Sequence, residues 1–363
     1  MDKSNSIFNL ELAGEFKPDI LADPYSVAKP PNASNRIKNY RKINAWENFF
    51  LSSAICSVAK SVGSDIEDFH VFAAITGDMF AYLYSKDKPC DSGITNYFFI
   101  PAVVKKTYAI FGYDCIYVSS AQIKENFRVV MNMIKSSVDK GIPVLAWGIG
   151  NFPFKDGSFG LLPEGSLIGG YDKDDMLYVN VYNRSGDDDG YIGIKNGLND
   201  TKGLFFVGKP ITKPDLRDVY KDVINSIPVL LSLPPTEAHV FGKDAFNLWA
   251  DTLLDDSNFE NKTDEELGGI RWNLHLSAYC MVCTSDAINY IKNVVGQYPD
   301  FDKAIKILPL FAQMNQLKDN IWSLQGGFEP PLDKFSTHEF RAKIAKILKE
   351  MGNTCEMIVN AFE

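Results

Sequence analysis

The sequence has few histidines, no dense cluster of basic residues and no long apolar run. Its 37 Lys and Arg face 46 Asp and Glu, which gives a net charge of -9. An acidic chain without a cationic stripe is a poor partner for nucleic acid or for an anionic membrane surface. No apolar run approaches the roughly 18 residues of a membrane span, and the N-terminal segment MDKSNSIFNLELAGEF lacks the apolar core of a signal peptide. We therefore expect a cytoplasmic protein with no membrane partner.

Metal ligands are also scarce. The six cysteines are scattered along the chain, which favours reduced thiols over a disulfide framework. Cys280 and Cys283 form C-M-V-C without a second pair or a histidine at ligand spacing, so no zinc site is predicted. The acidic run 183–190 lacks the alternating ligands and the distal glutamate of a calcium loop. The four histidines are expected to be structural, and no cofactor is predicted.

The composition divides the chain into three segments. Residues 1–44 contain KPDILADPYSVAKPPNAS, whose prolines predict an extended arm. Residues 45–212 predict an α+β domain with a buried helix and a central antiparallel sheet. From residue 213 onward the pattern is helical, and about five helices separated by polar, Gly-bearing and Pro-bearing joins predict an all-helical C-terminal domain over 213–363.

Besides a helix over most of Pro101 to Phe111, helical spacing of apolar residues predicts three helices in the first part of the α+β domain. WENFFLSSAICSVAKSV, from Ala45 to Val62, predicts a helix that is buried on most sides and closed by Gly63. DIEDFHVFAAITGDMFAYLYS predicts a second helix up to about Ser85. The stripe of apolar residues from Tyr117 to Lys140 predicts a third, which ends at Gly141.

The sheet is predicted from five β-rich runs: IPVLAWGIG, SLIGGYD, MLYVNVY, YIGIKNG and GLFFVGKP. The turn residues from Lys173 to Asp175 join the second and third runs as a hairpin. We therefore expect an antiparallel sheet of about five strands.

The run EGSLIGGYDKDDMLYVNVY resembles bacteriocin-leader-type peptidase domains and the N-terminal domain of the butirosin biosynthesis protein H family. WENFFLSSAICSVAKSVGSDIEDFHVFAAITGDMFAYLYS is similar to the Cys-bearing helix of that family and its following Gly-x-x-Phe segment. The resemblance covers roughly residues 40–210 and implies a papain-like fold. In that fold a cysteine at a helix N-terminus faces a histidine and an Asn or Asp on adjacent strands, and the helix terminus favours the thiolate.

Compared residue by residue, the chain departs from the family's catalytic residues. The family histidine lies six residues before the glycine of Gly-Tyr-Asp, where this chain has Glu164. The family cysteine position falls on Phe50, or on Asn48 if the alignment shifts by two residues. The Asn/Asp position falls on Asn180, which matches. Two of the three chemical roles are lost in this alignment.

The remaining candidates each allow two interpretations. Cys56, six residues past the expected site, is either a core thiol or a nucleophile. Glu164 is a general base or cation ligand, or a solvated glutamate at the edge of a strand. Asn180 orients Glu164 or caps a hairpin. Trp46 and Trp147 line a cleft or belong to the core.

The leading hypothesis is a catalytically degenerate papain-like protein that binds a small acyl, amino-acid or peptide ligand, free or on an acyl carrier. The second is a working acyltransferase or amidohydrolase that uses Glu164 and a nucleophile such as Ser52, Ser53 or Cys56. The third is an interaction module whose helical domain docks a partner. The sequence predicts no oligomeric state.

Overall fold

The computed structural model describes residues 34–43, 47, 49–86, 94–95, 101–154, 156–173, 175–181, 190–327 and 330–363. Of residues 94–95, 163–164, 273 and 275–283 it describes the backbone only. The described residues divide into two compact units. The sheet unit contains 34–76 and 101–216, and the helical unit contains 77–86, 94–95 and the described residues of 217–363. Most of the predicted N-terminal arm, together with the acidic run 183–189, lies outside the described residues.

The sheet unit combines helices with the strands of one large sheet. Its helices are α1 (Phe50–Ser61), α2 (Phe69–Thr76), α3 (Pro101–Ile110), α4 (Ser120–Glu125) and α5 (Phe127–Asp139). Its strands are β1 (Asn35–Arg36), β4 (Tyr113–Ser119), β5 (Val144–Pro153), β6 (Phe159–Tyr171), β7 (Met176–Asn180), β8 (Ile192–Lys195) and β9 (Gly203–Pro210). Strands β2 (Leu83–Ser85) and β3 (Ile94–Thr95) belong to the helical unit.

The seven strands are antiparallel in the order β4-β9-β5-β6-β7-β8, and β1 pairs with part of β6. Val144, Ile168 and Val179 lie side by side across β5, β6 and β7, and they belong to one buried cluster with the apolar stripe of α5. Because successive side chains alternate between faces, the neighbouring row of Leu145 and Leu167 faces the other way. The sheet is therefore buried on both faces.

The antiparallel sheet is confirmed, and its seven strands exceed the five predicted. Strands β5 to β9 correspond to the five predicted runs. The two others escape prediction for different reasons. β1 has two residues, too few for an alternating pattern, and β4 ends inside the segment from Tyr117 to Lys140 that was predicted as helix.

The prediction of one helix from Tyr117 to Lys140 is wrong in two respects. The helical part begins later than Tyr117, and it consists of two helices. Residues up to Ser119 belong to β4, and Ser119 then begins α4 through a capping box with Gln122. The Ser119 hydroxyl accepts a bond from the Gln122 backbone amide, and the Gln122 side chain accepts one from the Ser119 amide. Asn126 has a non-helical backbone and separates α4 from α5.

The second predicted helix is also too long. α2 ends at Thr76, and Gly77 follows with a φ of 82°. This left-handed conformation favours glycine and is typical of a helix end. The apolar residues up to Ser85 instead lead into a short strand, β2 (Leu83–Ser85).

The predominance of helix in the C-terminal part is confirmed, but the prediction of an all-helical domain over 213–363 is wrong, because this range also contains a strand, β10 (His239–Phe241). The helical unit contains α6 (Leu216–Leu231), α7 (Gly242–Leu254), α8 (Asp264–Gln297), α9 (Asp302–Gln325), α10 (Leu332–Phe335) and α11 (His338–Asn360). β2, β3 (Ile94–Thr95) and β10 (His239–Phe241) form a second, three-stranded sheet in the order β10-β2-β3. The domain boundary was predicted near residue 212, and the two compact units divide between Leu216 and Arg217.

Candidate functional site

The first turn of α1 lies directly against strand β6. A Cβ atom on Gly165 would lie 3.0 Å from the Leu51 Cα atom and 3.3 Å from its nitrogen. Any side chain at position 165 would meet backbone there, so the helix and the sheet approach as closely as they do because this residue is glycine. We call this pair of residues the Leu51–Gly165 contact.

Three of the candidate residues lie within one residue of this contact along the chain or across the sheet. Phe50 is the first residue of α1 and precedes Leu51, and its side chain is half-buried. Trp147 pairs with Gly165 across β5 and β6 and is also half-buried. Glu164 precedes Gly165 in β6, and its side chain lies outside the description. Trp46 and Asn48 lie outside the described residues.

Asn180, the last residue of β7, is buried. Both polar atoms of its side-chain amide form hydrogen bonds with backbone groups. Its Oδ1 atom accepts a bond from the Ile43 amide at 2.9 Å, and its Nδ2 atom donates to the Gly190 carbonyl at 3.3 Å. The register places Leu167, not Glu164, opposite Asn180. The asparagine therefore holds the chain at residues 43 and 190 onto the sheet.

Cys56 is a buried thiol inside α1. None of its surface is exposed, and its Sγ atom donates to the Glu67 carbonyl at 3.5 Å. Burial raises the pKa of the Cys56 thiol to about 11, although the charge of nearby Arg41 opposes the shift. Because the thiolate is the nucleophile, a thiol in this state is unreactive at neutral pH.

A compact group of polar residues beside α1, not predicted from the sequence, consists of Arg41, Glu47, Ser53 and Ser57. We call it the polar cluster. Arg41 forms an ion pair with Glu47, whose other oxygen accepts a bond from the Ser53 hydroxyl. The Arg41 Nη1 atom donates to the Ser53 carbonyl at 3.2 Å and to the hydroxyls of Ser53 and Ser57 at 3.4 and 3.3 Å.

The polar cluster was signalled only by Glu47, the single charged residue between positions 45 and 59. An isolated carboxylate in an apolar stretch needs a partner when it is buried. Glu47 is buried, and its cationic partner comes from a segment that had been assigned to an extended arm. The cluster fastens the chain before α1 to the helix, on the face that carries Phe50, Ser53 and Ser57 at three- and four-residue spacing.

The residues that carry the family resemblance in β6 have structural roles here. A Cβ atom on Gly169 would lie 2.3 Å from the Tyr191 hydroxyl oxygen. That hydroxyl donates to the Ile37 carbonyl at 2.8 Å. On Gly170, a Cβ atom would lie 2.8 Å from the Arg36 Cγ atom. Gly169 therefore makes room for the Tyr191 ring, and Gly170 makes room for the Arg36 side chain of β1.

Tyr171 and Asp172 stabilise the turn end of the β6–β7 hairpin. The Tyr171 hydroxyl donates to Asp139 Oδ1 at 2.8 Å, which ties the strand to the end of α5. Asp172 accepts bonds from the Met176 amide at 3.3 Å and from the Tyr178 hydroxyl at 3.2 Å. The Gly-Tyr-Asp motif is therefore explained by the hairpin and its neighbours.

Within the described residues there is no group of three or more His, Cys, Asp or Glu that could hold a metal ion. Two histidines are paired with aspartates: His70 Nδ1 lies 2.6 Å from Asp68 Oδ1, and His338 Nδ1 lies 2.9 Å from Asp256 Oδ1. The side chains of Cys280, Cys283 and His275 lie outside the description.

No known protein-family model matches this chain, and no curated protein matches it. In the described part of the chain, no helix has both the length and the apolar character needed to cross a membrane.

Proposed function

We propose that the sheet unit is a catalytically degenerate papain-like domain that binds a small acyl, amino-acid or peptide ligand at the start of α1. The proposal rests on the Leu51–Gly165 contact. Phe50, Trp147 and the Glu164 backbone all adjoin this contact. In papain-like enzymes the helix N-terminus and the neighbouring strand supply the cysteine and the histidine. Here the first residue of the helix is the apolar Phe50.

The chemistry of this surface suits a ligand with an apolar part and a polar end. Phe50 and Trp147 each adjoin the Leu51–Gly165 contact and are only half-buried, and aromatic side chains are typical of the lining of small-molecule sites. Arg41 bonds to Ser53, which lies one turn beyond Phe50 on the same face of α1. The Arg41 side chain retains 23% exposure, but its charge is already paired with Glu47, so it adds polarity to this surface without a net positive charge.

The burial of the hydroxyls and the thiol of α1 supports binding without covalent catalysis. Ser52, Ser53 and Cys56 have no exposed surface. Ser53 donates to Glu47, and Ser52 shares a hydrogen bond with Thr76 at 3.3 Å. A nucleophile must reach the substrate carbonyl, and these three groups face the interior.

Isothermal titration of the full chain with S-octanoyl-N-acetylcysteamine, N-acetyl amino acids and dipeptides tests the proposal. We expect at least one class to bind, and we expect Phe50→Ala and Trp147→Ala to weaken that binding at least about tenfold, or about 1.4 kcal/mol. Trp272→Ala is the matched control, because it removes an exposed tryptophan in the helical unit. Circular dichroism checks that each variant is folded.

Two results would overturn the proposal. The first is the absence of binding by every probe class, or binding that both sheet-unit variants leave unchanged. The second is hydrolysis or transfer of the thioester probe that disappears in Glu164→Gln, since that result would identify an active acyl-transfer enzyme.

A further inference from the structure

A small cavity lies among the helices of the helical unit. Its lining includes Trp249 of α7, Arg271 of α8 and Gln325 at the end of α9, and the remaining wall is mainly apolar. Its volume is about 10 Å³, which is the room that one buried water molecule requires. An organic ligand does not fit in this space.

Trp249 and Gln325 each place on this cavity a buried polar atom that has no hydrogen-bond partner among the described residues. One is the indole nitrogen of Trp249, and the other is the side-chain amide oxygen of Gln325. The two residues are 2% and 6% exposed. Buried polar groups in folded proteins are almost always hydrogen-bonded to protein or to ordered water. An unmatched donor and an unmatched acceptor on one cavity therefore point to a shared partner.

We propose that this cavity binds a single structural water, which accepts a hydrogen bond from Trp249 Nε1 and donates one to Gln325 Oε1. The partner must both accept and donate, since an indole N–H only donates and an amide oxygen only accepts. A chloride ion satisfies the indole but not the oxygen, and an ammonium ion satisfies the oxygen but not the indole. The guanidinium of Arg271 also disfavours a cation.

The water links elements that are distant in sequence. It bridges α7 and the last residue of α9, where the chain turns at Gly326 with a φ of 77°. Arg271 fastens the chain beyond this turn, because its Nη1 atom donates to the Pro330 carbonyl at 3.1 Å. The site therefore positions the connection between α9 and α10, and it is independent of the function proposed for the sheet unit.

Two-dimensional NMR of the full ¹⁵N-labelled chain tests the proposal directly. The indole N–H signal of Trp249 is assigned from its loss in Trp249→Phe. We expect this signal to show a cross-peak to a long-lived water, and we expect Gln325→Met to remove it. The exposed indole of Trp272 is the internal control and is expected to show only rapid solvent exchange. Absence of the cross-peak, or its persistence in Gln325→Met, overturns the proposed bridge.

A double-mutant cycle gives a second readout. Trp249→Phe and Gln325→Met are each expected to lower the midpoint of thermal unfolding, since each removes one partner of the water. The double variant is expected to lose less than the sum of the two, because the second change removes an atom that has already lost its bridge. Strict additivity contradicts coupling through a shared water.

Discussion

The side-chain oxygen of Asn180 accepts a hydrogen bond from the backbone amide of Ile43 at 2.9 Å. The resemblance to papain-like enzymes assigns this position to the group that orients the catalytic base. In this chain the same amide side chain, at the end of β7, instead bonds to Ile43 in the segment before α1 and to Gly190, two residues before β8. Its present role is to fix two backbone segments on the sheet.

Asn180→Ala is therefore expected to destabilise the fold. The substitution leaves the Ile43 amide and the Gly190 carbonyl without these partners, and a buried polar group left unpaired costs about 1–3 kcal/mol. Chemical denaturation of the variant measures the change in the free energy of unfolding. Asn199→Ala, an exposed asparagine of the same unit, is the control. Equal stability of both variants would contradict the structural role of Asn180.

Gly165→Ala tests the Leu51–Gly165 contact. The added Cβ atom would lie 3.0 Å from the Leu51 Cα atom, so α1 must shift away from β6, and overpacking of this kind costs about 1–3 kcal/mol. Gly193→Ala is the matched control in the same sheet, because its nearest neighbour to a Cβ atom is at an ordinary 3.5 Å. Thermal unfolding should separate the two variants, and a Gly165→Ala chain as stable as the control would refute the close approach.

Cys56 gives a prediction about pH and reactivity. Its pKa rises from 9.0 to about 11 in the folded chain, chiefly through burial. Since the unfolded chain loses the thiol proton at the lower pH, stability from this group is fully present below pH 9 and falls as the pH rises toward about 11.

Alkylation with iodoacetamide at pH 8, followed by peptide mass spectrometry, measures the reactivity of Cys56. We expect little labelling in the native chain and full labelling after denaturation, and a Cys56→Ser chain identifies the peptide. Native labelling at the rate of free cysteine would contradict the burial. Comparing Cys56→Ser with the parent between pH 8 and 11 measures its share of the alkaline loss of stability.

The strands of the central sheet were predictable because their residues repeat a simple pattern. The runs that became β5 to β9 are apolar and bounded by turn residues, and burial of the sheet on both faces accounts for their continuity. The cross-strand row of Val144, Ile168 and Val179 follows from that pattern once the hairpin register is set. Short elements such as β1 and β2 contain too few residues to show a period.

The polar cluster was not predictable, because its contacts join residues that are distant in sequence. Arg41 reaches Ser57 across sixteen positions, and no local pattern specifies such a bond. The alignment on Gly-Tyr-Asp assigned Phe50 and Glu164 to one site, and in the structure both residues adjoin the Leu51–Gly165 contact. It did not anticipate that Asn180 would be occupied by backbone partners, because those partners come from segments outside the motif.

Arg341 of α11 is a buried cation of the helical unit, with 2% exposure. Its Nε atom donates to the Leu253 carbonyl at 3.0 Å, and its Nη1 atom donates to the carbonyls of Phe335 and Ser336 at 3.0 and 2.7 Å. Nη2 pairs with Asp256. One guanidinium thus joins the ends of α7 and α10 to α11, and its planar arrangement of donors is what allows this.

Arg341→Lys is expected to destabilise the helical unit although the charge is kept. The ammonium of lysine is a compact charge on a flexible chain, so at least one of the buried carbonyls loses its partner, at about 1–3 kcal/mol each. Lys343→Met on the same helix is the control, since it removes only an exposed pair with Glu339 that is worth less than about 1 kcal/mol. Urea unfolding followed by circular dichroism compares the two variants. If Arg341→Lys unfolds at the same urea concentration as Lys343→Met, the carbonyl contacts of Arg341 contribute nothing that a lysine cannot replace.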